Sequence, residues 1–104
     1  MAAEDVTTLK TSEIPAGSIV AVDAHGSRIA VANVDGTYYA FDDACTHEQC
    51  SLTEMGELAG TTVTCTCHGS KFDVSTGKVL APPATEPVKV YTTRVEGDTL
   101  RIDN

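Results

Sequence analysis

Two short segments carry most of the chemistry available to this chain. The first reads Cys45-Thr46-His47-Glu48-Gln49-Cys50 and the second Cys65-Thr66-Cys67-His68-Gly69-Ser70. Each offers a thiolate and an imidazole within a few residues, and seventeen residues separate His47 from Cys65. Thiolate sulfur suits zinc, copper(I) and iron–sulfur clusters, and imidazole suits zinc and iron, so this grouping points to a metal site. A tetrahedral zinc site of two cysteines and two histidines is chemically possible. Its usual spacing, however, is a cysteine pair followed by a histidine pair. Here each segment supplies one of each, as Cys-x-His and Cys-x-x-His. That mixed pairing fits a two-iron cluster with two thiolates on one iron and two imidazoles on the other.

The other candidates read as structural. His25 precedes Gly26 with no ligand partner nearby and reads as an exposed turn residue. Met55 reads as a gap-filling apolar residue. Ser51 and Ser70 belong to no catalytic triad: no nucleophile-elbow sequence is present, and the nearby histidines serve the metal.

The elements that must position the two segments are short and β-like. Strands are expected at Asp5 to Lys10, Ile19 to Ala24, Arg28 to Val34 and Thr37 to Phe41, with Asp35-Gly36 as a hairpin turn. Alternation puts Tyr39 and Phe41 on one face and Tyr38 and Ala40 on the other. Gly60 to Thr64 reads as a strand feeding Cys65, Lys71 to Val74 as a short strand closed by a Ser75-Thr76-Gly77 turn, and Ser51 to Glu57 shows no strand period. Ala81-Pro82-Pro83-Ala84 is excluded from any central strand, because proline donates no ladder hydrogen bond. Val88 to Arg94 and Thr99 to Ile102 form a last hairpin turned at Glu96-Gly97-Asp98. No segment of helical length keeps a 3.6-residue period, so the fold class is all-β, a sandwich or small barrel.

The 104 residues fit one domain, in which a metal that ties loops together adds useful stability. Fifteen acidic residues against seven Lys and Arg give a formal charge of −8. That balance disfavours nucleic acid and anionic lipid and suits a basic protein partner. Asp42, Asp43, Glu48, Glu54 and Glu57 read as an acidic flank around the first cysteine segment. There is no long apolar run, and Met1 to Lys10 lacks a basic-then-apolar leader pattern, so a cytoplasmic location is expected. There, cysteines are more often metal-binding or redox-active than structural.

Together with Phe72-Asp73, Thr76-Gly77 and Ala81-Pro82-Pro83, the two segments resemble the Rieske family over most of the chain. The small size resembles the soluble Rieske ferredoxins, which pass electrons from a flavin-dependent reductase to the terminal oxygenase of ring-hydroxylating systems. The resemblance implies one [2Fe–2S] cluster, with Cys45 and Cys65 on the buried iron and His47 and His68 on the outer one. It implies a single domain over residues 1–104, an antiparallel sandwich or small barrel with a two-loop cluster-binding subdomain at about residues 42–84. It implies an electron carrier rather than an enzyme, with reductase and oxygenase as partners.

Cys50 and Cys67 depart from the pattern of most soluble Rieske ferredoxins and occupy the positions at which the Rieske proteins of respiratory and photosynthetic cytochrome complexes carry a disulfide between the cluster loops. A Cys50–Cys67 disulfide is expected on that resemblance, the alternative being two reduced thiols, which the cytosol favours. In those proteins a serine at the position of Ser70 and a tyrosine at the position of Phe72 donate hydrogen bonds to cluster sulfur. Keeping the serine alone implies a potential between the low ferredoxin and the high cytochrome-complex classes. Gly69 is expected to let the second loop turn tightly, and Pro82-Pro83 to form a stiff third loop over the cluster. Two other functions share parts of this pattern: a small Rieske-type subunit of a larger reductase, such as assimilatory nitrite reductase, and a non-redox zinc module.

Overall fold

The computed structural model describes residues 6–24, 27–44, 50–67, 69–82 and 85–103. The all-β expectation holds. A larger sheet contains β1 (Val6–Lys10), β2 (Ile19–Ala24), β3 (Ser27–Val34), β4 (Thr37–Asp42), β9 (Val90–Glu96) and β10 (Thr99–Asp103). Its strand order is β1-β10-β9-β4-β3-β2, and every pairing is antiparallel. A smaller antiparallel sheet follows the order β5 (Gly56–Ala59), β6 (Thr62–Cys65), β7 (Lys71–Asp73), β8 (Val79–Ala81). A single helical turn, α1 (Leu52–Met55), precedes β5.

Strand β3 explains why its sequence is apolar almost without interruption. Ile29 and Val31 face one core, with Ile14, Ala40, Tyr91, Leu100 and Ile102. Ala30 and Ala32 face the other, with Phe41, Leu52, Val63, Cys65, Phe72, Val74 and Val88. A strand covered on both faces has no solvent side to mark with polar residues. The neighbouring β4 shows the expected alternation: Phe41 and Tyr39 join the second core, Ala40 and Tyr38 the first.

The Asp35-Gly36 turn is as expected. Val34 pairs with Thr37, and both turn residues have positive φ, 52° and 91°. That is the requirement of a type I′ hairpin turn. The turn at Gly97-Asp98 joins paired Glu96 and Thr99, with Gly97 at φ 65°.

Two departures from the expected elements matter for the site. Ser51 to Glu57 holds α1 and the start of β5 rather than irregular chain. Ser51 is the N-cap of α1, its Oγ accepting the Glu54 N–H at 3.2 Å. The Ser-x-x-Glu pattern of a capping box was the available signal. Strand β8 is also additional. It lies at the sheet edge and stops before Pro82, as proline requires.

Candidate metal centre

The first cysteine segment leaves β4 through a neck built around two carboxylates. Asp42 Oδ1 accepts from the Tyr91 hydroxyl at 2.5 Å, and the Asp42 N–H donates to the Lys89 carbonyl. Asp43 is 3% exposed. Its Oδ1 accepts from both the backbone N–H and the hydroxyl of Thr53, at 2.7 and 2.5 Å, and its Oδ2 faces Arg28 Nε at 3.4 Å. The Asp43 carbonyl accepts the Leu52 N–H at 2.7 Å, and Ala44 bridges Ser51. The chain is therefore pinched shut on either side of residues 45–50. A buried carboxylate is tolerated because these donors replace its water. This corrects the expected acidic flank. Asp43 points inward and Asp42 is engaged by Tyr91, so neither forms part of an exposed acidic face. The exposed Glu54 turns to Arg28 at 3.1 Å.

The second segment begins where β6 ends. Cys65 is 1% exposed and packs in the core. Its N–H donates to the Ser70 carbonyl and its carbonyl accepts from the Gly69 N–H, each at 2.8 Å. These bonds draw Gly69 and Ser70 back onto Cys65. Gly69 has φ 86°, and nothing lies within 4 Å of where a Cβ would be. The glycine is needed for its backbone conformation and not for space. Ser70 is fully buried. Thr66 donates twice to the Met55 carbonyl, through its N–H at 2.8 Å and its hydroxyl at 2.7 Å. Met55 is 41% exposed, so it fills no gap; its contribution is that carbonyl. Both segments are thus fastened to α1, one at its start and the other at its end.

A disulfide joins Cys50 to Cys67 and links the segments directly. The sulfurs of Cys50, Cys65 and Cys67 lie within 4.8 Å of one another. The donor inventory follows. Of four cysteines, the disulfide removes two from metal binding, which leaves Cys45 and Cys65 as the candidate sulfur donors. An all-thiolate cluster needs four. Two thiolates, completed by the imidazoles of the same segments, are the donor set of a mixed cysteine–histidine [2Fe–2S] centre, so the residues present fit that group. Cys45, His47 and His68 lie outside the described residues, as does His25. Pro82 is exposed at the end of β8, and Pro83 is outside the described residues. Sequence reasoning missed Thr53 and Arg28, whose polar groups hold Asp43; nothing in their spacing marks them.

Among the described residues no helix is long and apolar enough to cross a membrane. A family model described as "Rieske [2Fe-2S] domain" matches residues 4–92. The biphenyl dioxygenase ferredoxin subunit of Pseudomonas sp. (strain KKS102) is 45% identical over 91 residues, covering 88% of this chain and 84% of that one. The ferredoxin component of the naphthalene 1,2-dioxygenase system of Pseudomonas aeruginosa is 37% identical over 91 residues, covering 88% and 86%. Among solved structures, a chain from the complex of reduced oxygenase and oxidized ferredoxin in carbazole 1,9a-dioxygenase superposes with TM-score 0.89 at 31% identity, covering 96% of this chain and 94% of that one.

Proposed function

From the premise that this chain belongs to the Rieske [2Fe–2S] family, matched over residues 4–92, we propose that Cys45, His47, Cys65 and His68 hold its cluster. The protein is the ferredoxin component of a ring-hydroxylating dioxygenase system. It takes electrons from a reductase and delivers them to the terminal oxygenase, and is not itself the catalyst. The relatives' identities favour this over a nitrite-reductase-type subunit. The cluster-binding part is read as residues 42–84 of one domain, and the location as cytoplasmic.

The observation that carries the ligand assignment is the disulfide, which leaves two candidate sulfur donors among four cysteines. When bound, the cluster accepts and releases one electron at a time. The chain does the rest. The bridge between Ala44 and Ser51 and the backbone bonds of Cys65 to Gly69 and Ser70 anchor the chain on either side of these ligands. Ser70, buried beside Cys65, and Gly69 shape the sulfur side of the site, and Pro82 begins the third loop. Neutral imidazoles in place of two thiolates make the centre easier to reduce.

The purified protein is expected to be red-brown, to contain two irons and two acid-labile sulfides per chain, and to show a rhombic EPR signal on reduction. His68→Cys and Cys45→Ser each abolish that signal; a normal signal in either variant overturns the ligand set. A colourless zinc protein overturns the function.

A further inference from the structure

The three sulfurs within 4.8 Å of one another belong to one buried and two half-buried cysteines. An ion bonded to sulfur at about 2.3 Å holds its sulfurs roughly 3.8 Å apart. Movements of about an ångström per sulfur would let all three share one ion. We propose that reducing the Cys50–Cys67 bond opens a second metal site, in which the sulfurs of Cys50, Cys65 and Cys67 together hold one soft closed-shell cation, Zn(II) or Cu(I). Three thiolates are the donors such cations prefer.

The segments stay together when the disulfide opens. Cys67 follows Thr66, which donates twice to the Met55 carbonyl at the end of α1. Cys50 precedes Ser51, which caps the start of α1 and bridges Ala44. Cys65 is held by its pairing with Gly56 and by its backbone bonds to Gly69 and Ser70. All three sulfurs therefore hang from ties that do not involve the S–S bond.

The reducing step takes two electrons from a dithiol or a phosphine. It breaks the S–S bond and leaves two thiols. The dithiol becomes a disulfide, and the phosphine takes oxygen from water to become its oxide. Binding then replaces three S–H bonds with three sulfur–metal bonds and releases three protons to solvent. The idea rests on the proposed function in one respect: with Cys65 a cluster ligand, cation and cluster compete for it. The disulfide then keeps two competing sulfurs out of play while iron is being loaded.

The test uses the full chain, its iron and sulfide measured first. The anaerobic protein is treated with a water-soluble phosphine and excess Cd(II), desalted, and read for bound cadmium and for the ultraviolet sulfur-to-cadmium charge-transfer band. The cadmium samples all carry Cys45→Ser, which removes the cluster and takes Cys45 out of the count. Two comparators then offer the Cys65 sulfur alone: the same protein with its disulfide intact, and the Cys45→Ser/Cys50→Ser/Cys67→Ser triple variant. The reduced protein is expected to retain one cadmium per chain with a band, per cadmium, at least about twofold that of either comparator, three sulfurs against one. A band no stronger than theirs, or no retained cadmium, overturns the proposal. Absence of iron and sulfide at the outset would instead count against the proposed function and leave the cadmium result to stand alone.

Discussion

Asp43 fastens the neck of the first cluster segment, and removing its carboxylate is the sharpest test of that role. In Asp43→Ala the Thr53 N–H and hydroxyl both lose their acceptor, at 2.7 and 2.5 Å in the native protein. Hydrogen bonds to a charged group contribute about 1.5–3 kcal/mol each, so the pair sets a loss of roughly 3 kcal/mol or more. Arg28 adds little, because its side chain is 47% exposed and water replaces the lost partner. In Asp43→Asn the amide oxygen still accepts from Thr53, but as a neutral acceptor, and the ion pair goes, so the expected loss is about 2 kcal/mol and smaller than in the alanine variant. For a domain of this size, 3 kcal/mol corresponds to a fall of roughly 15 °C in melting temperature. The assay is urea unfolding of the cluster-loaded protein, followed in parallel by backbone circular dichroism and by visible absorption. Asp43→Ala should bleach at lower urea than it unfolds, because the neck opens before the sheets do. If the alanine variant lies within about 1 kcal/mol of the native protein, or the asparagine variant is as damaged as the alanine, the carboxylate is not the fastening argued for.

Two glycines separate space from conformation. At Gly77, φ is 81° and a Cβ would sit 2.1 Å from the Val88 carbonyl oxygen, whereas Gly69 at φ 86° has open space. Gly77→Ala should therefore cost well over the roughly 1–2 kcal/mol of the left-handed backbone alone, and Gly69→Ala about that amount, both read from urea midpoints. The pH dependence isolates Asp73, whose carboxylate accepts from the Ser75 hydroxyl at 2.6 Å and N–H at 2.9 Å. The hydroxyl bond above all holds its carboxyl below the ordinary 3.8. A group with a lowered folded value stabilises fully above the ordinary value and loses that contribution as the pH falls through the folded one. Asp73→Asn should accordingly flatten the stability–pH curve below about pH 4 and leave its shape near pH 7 unchanged.

What was legible in the sequence divides along physical lines. The Asp35-Gly36 turn and the face assignment of Tyr38 to Phe41 follow from backbone sterics and alternation, which act over a few residues. The family is legible because ligand chemistry restricts residue type in the cysteine and histidine segments. Helix α1 and strand β5 were missed because four residues are too few to show a period. Asp43 was misread for a different reason. Its burial depends on Thr53 and Arg28, ten and fifteen residues away, and only tertiary structure brings those donors to it. Met55 looked like core because it is apolar, but its value to the site is a backbone oxygen, to which side-chain type is blind. Edge strand β8 ends against Pro82, so its proline signal pointed correctly to what the segment is not.

The Asp35-Gly36 and Gly97-Asp98 hairpin turns lie at the same end of the molecule. Strand β4 runs from the Asp35-Gly36 turn towards the metal segments, and β9, paired antiparallel to it through Phe41–Val90 and Ala40–Tyr91, runs back to Gly97-Asp98. At about 3.3 Å per residue, the six residues of β4 set that end roughly 20 Å from the cysteine loops. A surface tether or fusion attached at Gly97-Asp98 would leave the cysteine segments facing outward. The same attachment on an electrode would leave the length of the larger sheet between those segments and the wire.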